Sequence, residues 1–293
     1  MINIGFYRKW ACQKMIESSH ANIWDGHWAC AVLALIQLME ENLIPRQLDA
    51  SIHKNLDKIV EEHANDQLFL GGKKYEGFRA DIVKLLVQNS NTCNAIGHDV
   101  IYTYYILELL SHSDIHPTAE LYNAMERLLQ GFRASGPGYV TINGKNTVIQ
   151  HDSLSKKVAS FQLSPTSVLD LFQRFSRSPQ MESGDMQLGH LLTHGHAIVE
   201  LKQACSENLA DSLDAAFLAR VDILNYANEL EESHTENNPV DTEHMSPLEL
   251  PYWEQAYVDS KHGHLYKYAY SFLKLNRMIA CHPTDFRALS RVI

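Results

Sequence analysis

Apolar residues recur at three- and four-residue spacing along nearly the whole chain, and strictly alternating runs are rare. That spacing belongs to helices that bury one face, so the pattern predicts an all-α protein. Helices are expected over roughly 5–18, 23–43, 47–64, 74–91, 96–112, 117–134, 164–177, 184–206, 208–232, 247–260, 262–279 and 284–292. Start signals support several of them. Asp49 or Ser51 precedes one, Pro117 and Ser164-Pro165 fall at first-turn positions, and Ser246-Pro247 stands before another.

Two intervals break the helical period. Gly136-Pro137-Gly138 leads into Tyr139-Val140-Thr141-Ile142, then Asn143-Gly144, then Lys145 through Ile149. Asn-Gly between two β-prone runs accepts the positive φ angles of a tight hairpin turn, so a β-hairpin insertion is expected near 139–150. The stretch from Glu231 to Met245 is polar and acidic and reads as a surface loop or lid.

Within the helical pattern the dipeptide Gly-His heads an apolar run four times, at Gly26-His27, Gly97-His98, Gly195-His196 and Gly263-His264. His27 and His98 are 71 residues apart and His196 and His264 are 68 apart, while the middle interval of 98 is longer by about the size of the hairpin. The spacing predicts about four repeated helix units. A single all-helical domain over 1–293, closed as a bundle or toroid, would let the four histidines meet.

Composition narrows the chemistry. With 293 residues and 45% hydrophobic content the chain buries a substantial core. A net charge of -10 argues against a nucleic-acid backbone or an anionic membrane as partner. Five widely spaced cysteines without a CxxC pair fit reduced thiols. The N-terminus carries no basic-then-apolar signal, and no apolar run reaches the roughly 18 residues of a membrane span, so a cytoplasmic location is expected.

Four imidazoles entering one core are costly to desolvate unless they share a partner, and for neutral imidazoles a metal ion is the obvious common partner. At 3.6 residues per turn, His27, Cys30, Ala31 and Ala34 share a face, as do His98, Ile101, Tyr102 and Tyr105, and His264, Lys267, Tyr268 and Ser271. The third unit leaves three histidines open: His190 and His194 share a face at i,i+4, whereas His196 points elsewhere and pairs with Glu200 at i,i+4. Lys267 is unexpected on an inward face, because a lone buried ammonium must be neutralised, paired or modified. Trp24, Trp28, Tyr102, Tyr105, Tyr266 and Tyr268 offer stacking walls for a flat ligand, and Trp28, Tyr102, Tyr105 and Tyr268 are the substrate-contact candidates.

In order and spacing, the helices at His27-Trp28-Ala29-Cys30-Ala31, Gly97-His98, His196-Ala197-Ile198-Val199 and His264-Leu265-Tyr266-Lys267 resemble the questin oxidase-like family of aromatic polyketide metabolism. The resemblance spans most of the chain. It implies an all-helical fold and a mononuclear non-haem Fe(II) site of four histidines and a carboxylated lysine, carried here by His27, His98, His196, His264 and Lys267. It further implies O₂ as co-substrate and oxidative cleavage of, or oxygen insertion into, a quinone-like aromatic molecule. NADPH is the reductant in some such reactions, but the chain lacks a Gly-x-Gly-x-x-Gly fingerprint and no Rossmann domain is expected. Two other readings stand beside this one. A zinc- or manganese-dependent hydrolase or lyase would use the same histidines, and a helical-repeat interaction protein would use them only as caps.

Overall fold

The computed structural model describes residues 3–63, 72–89, 92–142, 145–148, 161–176, 184–203, 207–231, 245–258, 261–279, 286–290 and 292. Its elements in chain order are α1 (Ile4–Ser18), α2 (Gly26–Glu40), α3 (Asp49–Glu62), α4 (Phe78–Asn89), α5 (His98–Leu109), α6 (Ala119–Ala134), β1 (Tyr139–Ile142), β2 (Lys145–Val148), α7 (Pro165–Ser176), α8 (Gly184–Gln203), α9 (Glu207–Glu231), α10 (Leu250–Val258), α11 (His264–Met278) and α12 (Arg287–Ser290). Every helix falls inside or within a residue or two of an expected one, and the protein is predominantly α-helical.

Local chemistry sets the helix starts. Asn3 accepts a hydrogen bond from Phe6 N at 3.1 Å and caps α1. Pro165 occupies the first position of α7, and behind it Ser164 and Ser167 exchange backbone-to-hydroxyl bonds of 2.9 and 3.2 Å as a reciprocal cap. Pro117 falls outside its helix. Thr118 takes the capping role for α6, its Oγ1 accepting from Leu121 N at 3.2 Å. Ser246 and Pro247 likewise form a turn ahead of α10, where the Pro247 carbonyl accepts from Trp253 Nε1 at 2.9 Å.

The chain forms two compact units. The first contains residues 1–85, 102–131 and 245–270, the second 86–101, 132–244 and 271–293. Four of the five exchanges fall inside helices, in α4, α5, α6 and α11, and the fifth falls between 244 and 245, so neither unit is a contiguous stretch of sequence. In the first unit α1 and α3 pack on α2, and α10 packs on α3. The interior of α2 holds no charged residue and is buried from Gly26 to Leu38, which makes it the central helix of that unit. Trp10, Met15, Leu56, Trp253 and Tyr266 are buried in the core of the same unit. In the second unit α8 packs between α7 and α9, and α12 closes on α7, around Phe172, Leu192, Phe217 and Leu224.

Strands β1 and β2 pair antiparallel, with Tyr139 opposite Val148 and Ile142 opposite Lys145, and β1 rests on α9. The Asn143-Gly144 turn lies outside the described residues, as do 232–244 of the expected loop or lid. Cys12, Cys30 and Cys93 are buried free thiols, and Cys205 and Cys281 lie outside the described residues. Among the described residues no helix is long and apolar enough to cross a membrane.

Candidate metal centre

Three of the chain's five Gly-His dipeptides share one local structure, a single 3-10 turn running into a helix. Ile23–Asp25 leads into α2, Ala95–Gly97 into α5, and a turn over residues 261–263 into α11. Such a turn brings the carbonyl three residues upstream over the histidine ring. His27 Nδ1 meets Trp24 O at 2.5 Å, and His98 Nδ1 meets Ala95 O. A carbonyl only accepts, so each Nδ1 carries the proton and each Nε2 keeps a bare lone pair. This is the arrangement that pre-sets an imidazole as a metal ligand.

Two of these turns require glycine. Gly97 has φ +90 and Gly263 φ +70, and each follows a residue also held at positive φ, Ile96 and His262. Space forbids a side chain as well. A Cβ on Gly97 would lie 2.5 Å from His194 Cγ, and one on Gly263 would lie 2.4 Å from Ala31 Cβ. The Gly-His signature therefore reports a backbone that must be left-handed and close-packed immediately before the histidine.

The histidines come together in pairs. His27 and His264 sit with ring centroids 4.8 Å apart and planes nearly perpendicular, at 85°. His98 and His190 have centroids 4.5 Å apart, and their Nε2 atoms approach to 3.0 Å. All four are buried, and one ring nitrogen from each lies within 4.8 Å of the others. The donors fit a divalent transition metal: neutral imidazoles, shielded from water, two with their tautomer fixed from behind.

His190 is the histidine of α8 that joins this group, and His196, expected from the motif, does not. The Gly195-His196 dipeptide does not head a helix at all; it lies in the middle of α8. Six residues beyond His190, at about 100° per residue, the ring is turned by roughly 120°. There His196 Nδ1 lies 3.0 Å from Ser271 Oγ, and Nε2 lies 3.9 Å from Glu200, whose carboxylate also meets Lys274 at 3.4 Å. His194 is on the His190 side of α8 but packs against the backbone of Gly97, with neither ring nitrogen hydrogen-bonded among the described residues.

Lys267 is 2% exposed, one turn into α11 from His264. Burial pushes its pKa down to about 7, opposed only by Cys30 nearby on α2. The Cys30 thiol is itself pushed up to about 12 by burial, so it is neutral at physiological pH and offers the amine no negative charge. Among the expected substrate contacts, Tyr102 and Tyr268 touch the histidines. The Tyr102 hydroxyl lies 3.0 Å from His27 Nδ1 and 3.2 Å from Ile23 O, and the Tyr268 ring stacks on His264 at 5.6 Å and 3°. Trp28 instead stacks on His63 at 4.0 Å. Tyr105 is buried with a hydroxyl that has no hydrogen-bond partner among the described residues.

Sequence reasoning passed over the carbonyls of Trp24 and Ala95 and the role of Tyr102 as a brace on His27. The first two have a readable signal, since a histidine at the head of a helix after a three-residue turn finds the i−3 carbonyl at its Nδ1. Comparison with protein families, with characterised proteins and with solved structures finds no match to this chain.

Proposed function

We propose that this protein is a metal-dependent oxygenase whose centre is a mononuclear non-haem iron held by His27, His98, His190 and His264, with Lys267 as a carbamate ligand. The observation that carries the reading is the convergence of four buried imidazole nitrogens within 4.8 Å. Buried polar atoms brought together in this way call for a common partner. Iron(II) held there would supply the site at which O₂ and an electron-rich aromatic molecule react.

The chain's own residues have separable duties. The Trp24 and Ala95 carbonyls hold two imidazoles in the Nδ1-protonated tautomer. Burial of the four histidines excludes bulk water and strengthens every charge interaction inside. The amine of Lys267, half neutral near pH 7, can take up carbon dioxide: its nitrogen attacks the carbon, one proton leaves, and an anionic carbamate replaces a repelling cation. To the Tyr105 hydroxyl, buried without a hydrogen-bond partner among the described residues, we assign the role of donor to an oxygen of a quinone-like substrate.

An all-nitrogen histidine set also suits zinc, which supports hydrolysis rather than oxygenation. One experiment separates the readings. Protein purified without added metal, then loaded anaerobically with Fe(II), is assayed for metal content and for oxygen uptake with quinone-like aromatics. About one iron per chain and substrate-dependent oxygen uptake support the oxygenase. Stoichiometric zinc that iron cannot displace supports the hydrolase, and absence of any bound metal supports a non-catalytic helical protein.

A further inference from the structure

Three tyrosines in the first unit form a connected set. Tyr104 and Tyr105 are neighbours on α5, and Tyr270 comes from α11. The Tyr104 and Tyr270 hydroxyls are 2.9 Å apart, and Tyr270 donates to Glu41 Oε1 at 2.8 Å. A carboxylate only accepts, so the Tyr270 proton points to Glu41 and Tyr104 must donate to Tyr270. Both phenols are buried, whereas Glu41 ends α2 half-buried. The rings continue inward. Tyr105 lies 5.1 Å from Tyr104 and 6.5 Å from Tyr270 between centroids. Tyr102, one turn before Tyr105 on the same face of α5, sets its ring edge-on to His27 at 5.8 Å.

Burial, together with Tyr104 and Glu41, raises the Tyr270 pKa far above the usual phenol range. Tyr270 therefore does not lose its proton by ionisation at neutral pH. It can lose that proton only together with an electron, and a carboxylate already hydrogen-bonded to the phenol removes the need to form a high-energy radical cation.

We propose that Tyr270 is a redox-active tyrosine, giving one electron to an oxidised metal centre by way of Tyr105, Tyr102 and His27 while its proton passes to Glu41. The step balances: the metal falls by one oxidation state, Tyr270 becomes a neutral phenoxyl radical, and Glu41 becomes a carboxylic acid. Dioxygen or a peroxide supplies the oxidised centre, and a thiol or quinol restores the tyrosine with one electron and one proton. The pathway drains oxidising equivalents from a centre that has no substrate, sparing its histidine ligands. Its metal end rests on the oxygenase reading, and the character of Tyr270 does not.

The two parts are tested separately. Metal-free protein is oxidised with a photogenerated ruthenium(III) polypyridyl complex, freeze-quenched and examined by electron paramagnetic resonance. The expected result is a tyrosyl signal that disappears in Tyr270→Phe, shifts its g-anisotropy in Tyr104→Phe and decays faster in Glu41→Gln. A signal unchanged by all three variants overturns the proposal. Iron-loaded protein treated with hydrogen peroxide should give the same signal, with a severalfold lower yield in Tyr105→Phe. Iron-bound protein that gives no Tyr270 signal overturns the pathway. Protein that takes up no iron overturns the metal reading and the pathway with it, while the first experiment still decides whether Tyr270 is the oxidisable site.

Discussion

His98 and His190 face each other with their Nε2 atoms 3.0 Å apart. The Ala95 carbonyl takes the Nδ1 proton of His98, so its Nε2 is bare, and only His190 can supply a proton between them. A single hydrogen bond satisfies the contact in the metal-free protein. For the Nε2 of His190 to serve as a ligand as well, that proton would have to be carried on its Nδ1 instead.

That geometry sets the first prediction. His98→Ala and His190→Ala should each reduce metal content well below one per chain, because each removes a converging donor. His196→Ala should keep the metal and lose stability instead, by about 1 kcal/mol for the bond to Ser271. Metal analysis and thermal unfolding on the three proteins decide it. Loss of metal only in the His196 variant would restore the motif assignment.

Tyr102 braces His27 without being a ligand, and removing its hydroxyl tests whether the brace matters. Tyr102→Phe leaves the ring against Gly26 and His27 but takes the oxygen from beside Nδ1. Metal affinity should fall by about tenfold, the lower end for a group that orients a ligand. Competition with a chelator measures it. Unchanged affinity would mean that the Trp24 carbonyl alone fixes the ring.

Much of this arrangement could be read from sequence, for identifiable reasons. Helices announced themselves through apolar spacing, and α2 most plainly, since its run from Trp28 to Ile36 is apolar throughout. His27, His98 and His264 were visible because each follows a glycine at a helix head. The third histidine was not, because Gly-His occurs twice within α8, at 189–190 and 195–196, and a dipeptide says nothing about which way a mid-helix ring points. The two units were invisible for a related reason. Their boundaries fall inside continuous helices such as α5 and α11, where no change in composition marks a domain edge.

The glycines of these turns give a stability test with an internal control. Gly97→Ala meets both a left-handed backbone and the His194 ring, and should destabilise the fold by at least about 2 kcal/mol. Gly136→Ala, at φ +67 with nothing within 4 Å of the added carbon, should cost only about 1 kcal/mol. Denaturant unfolding compares them. Equal losses would show that backbone strain alone governs Gly97.

His194 should make the protein acid-sensitive. Burial, then Arg220 and His98, push its pKa from 6.5 down to about 3. Between those values the folded protein binds fewer protons there than the unfolded chain, so stability is lost as pH falls through that window. Since neither nitrogen has a hydrogen-bond partner, His194→Leu should be neutral or stabilising at pH 7 and should flatten the decline below pH 6.5. Metal content should not change. Melting temperatures across pH 4–8 test the claim, and an unaltered slope would place the acid lability elsewhere.

Lys267 carries the last prediction. Its ammonium would repel a divalent cation bound to His264 one turn away, so it can serve the centre only as a neutral amine or as a carbamate. A carbamate forms from the neutral amine alone, and the pKa of about 7 makes that form abundant at and above neutrality. Metal retention should therefore weaken as pH drops below about 7, where the ammonium returns. Protein equilibrated with ¹³C-bicarbonate should show a carbamate carbon resonance that is absent from Lys267→Arg. The arginine variant keeps a positive charge and cannot readily be carboxylated, so it should lose metal and activity together. Lys267→Glu places an oxygen anion on a shorter stem and should recover part of both. Normal metal binding and turnover in Lys267→Arg would remove Lys267 from the ligand set and leave the four imidazoles as the whole of the protein's contribution.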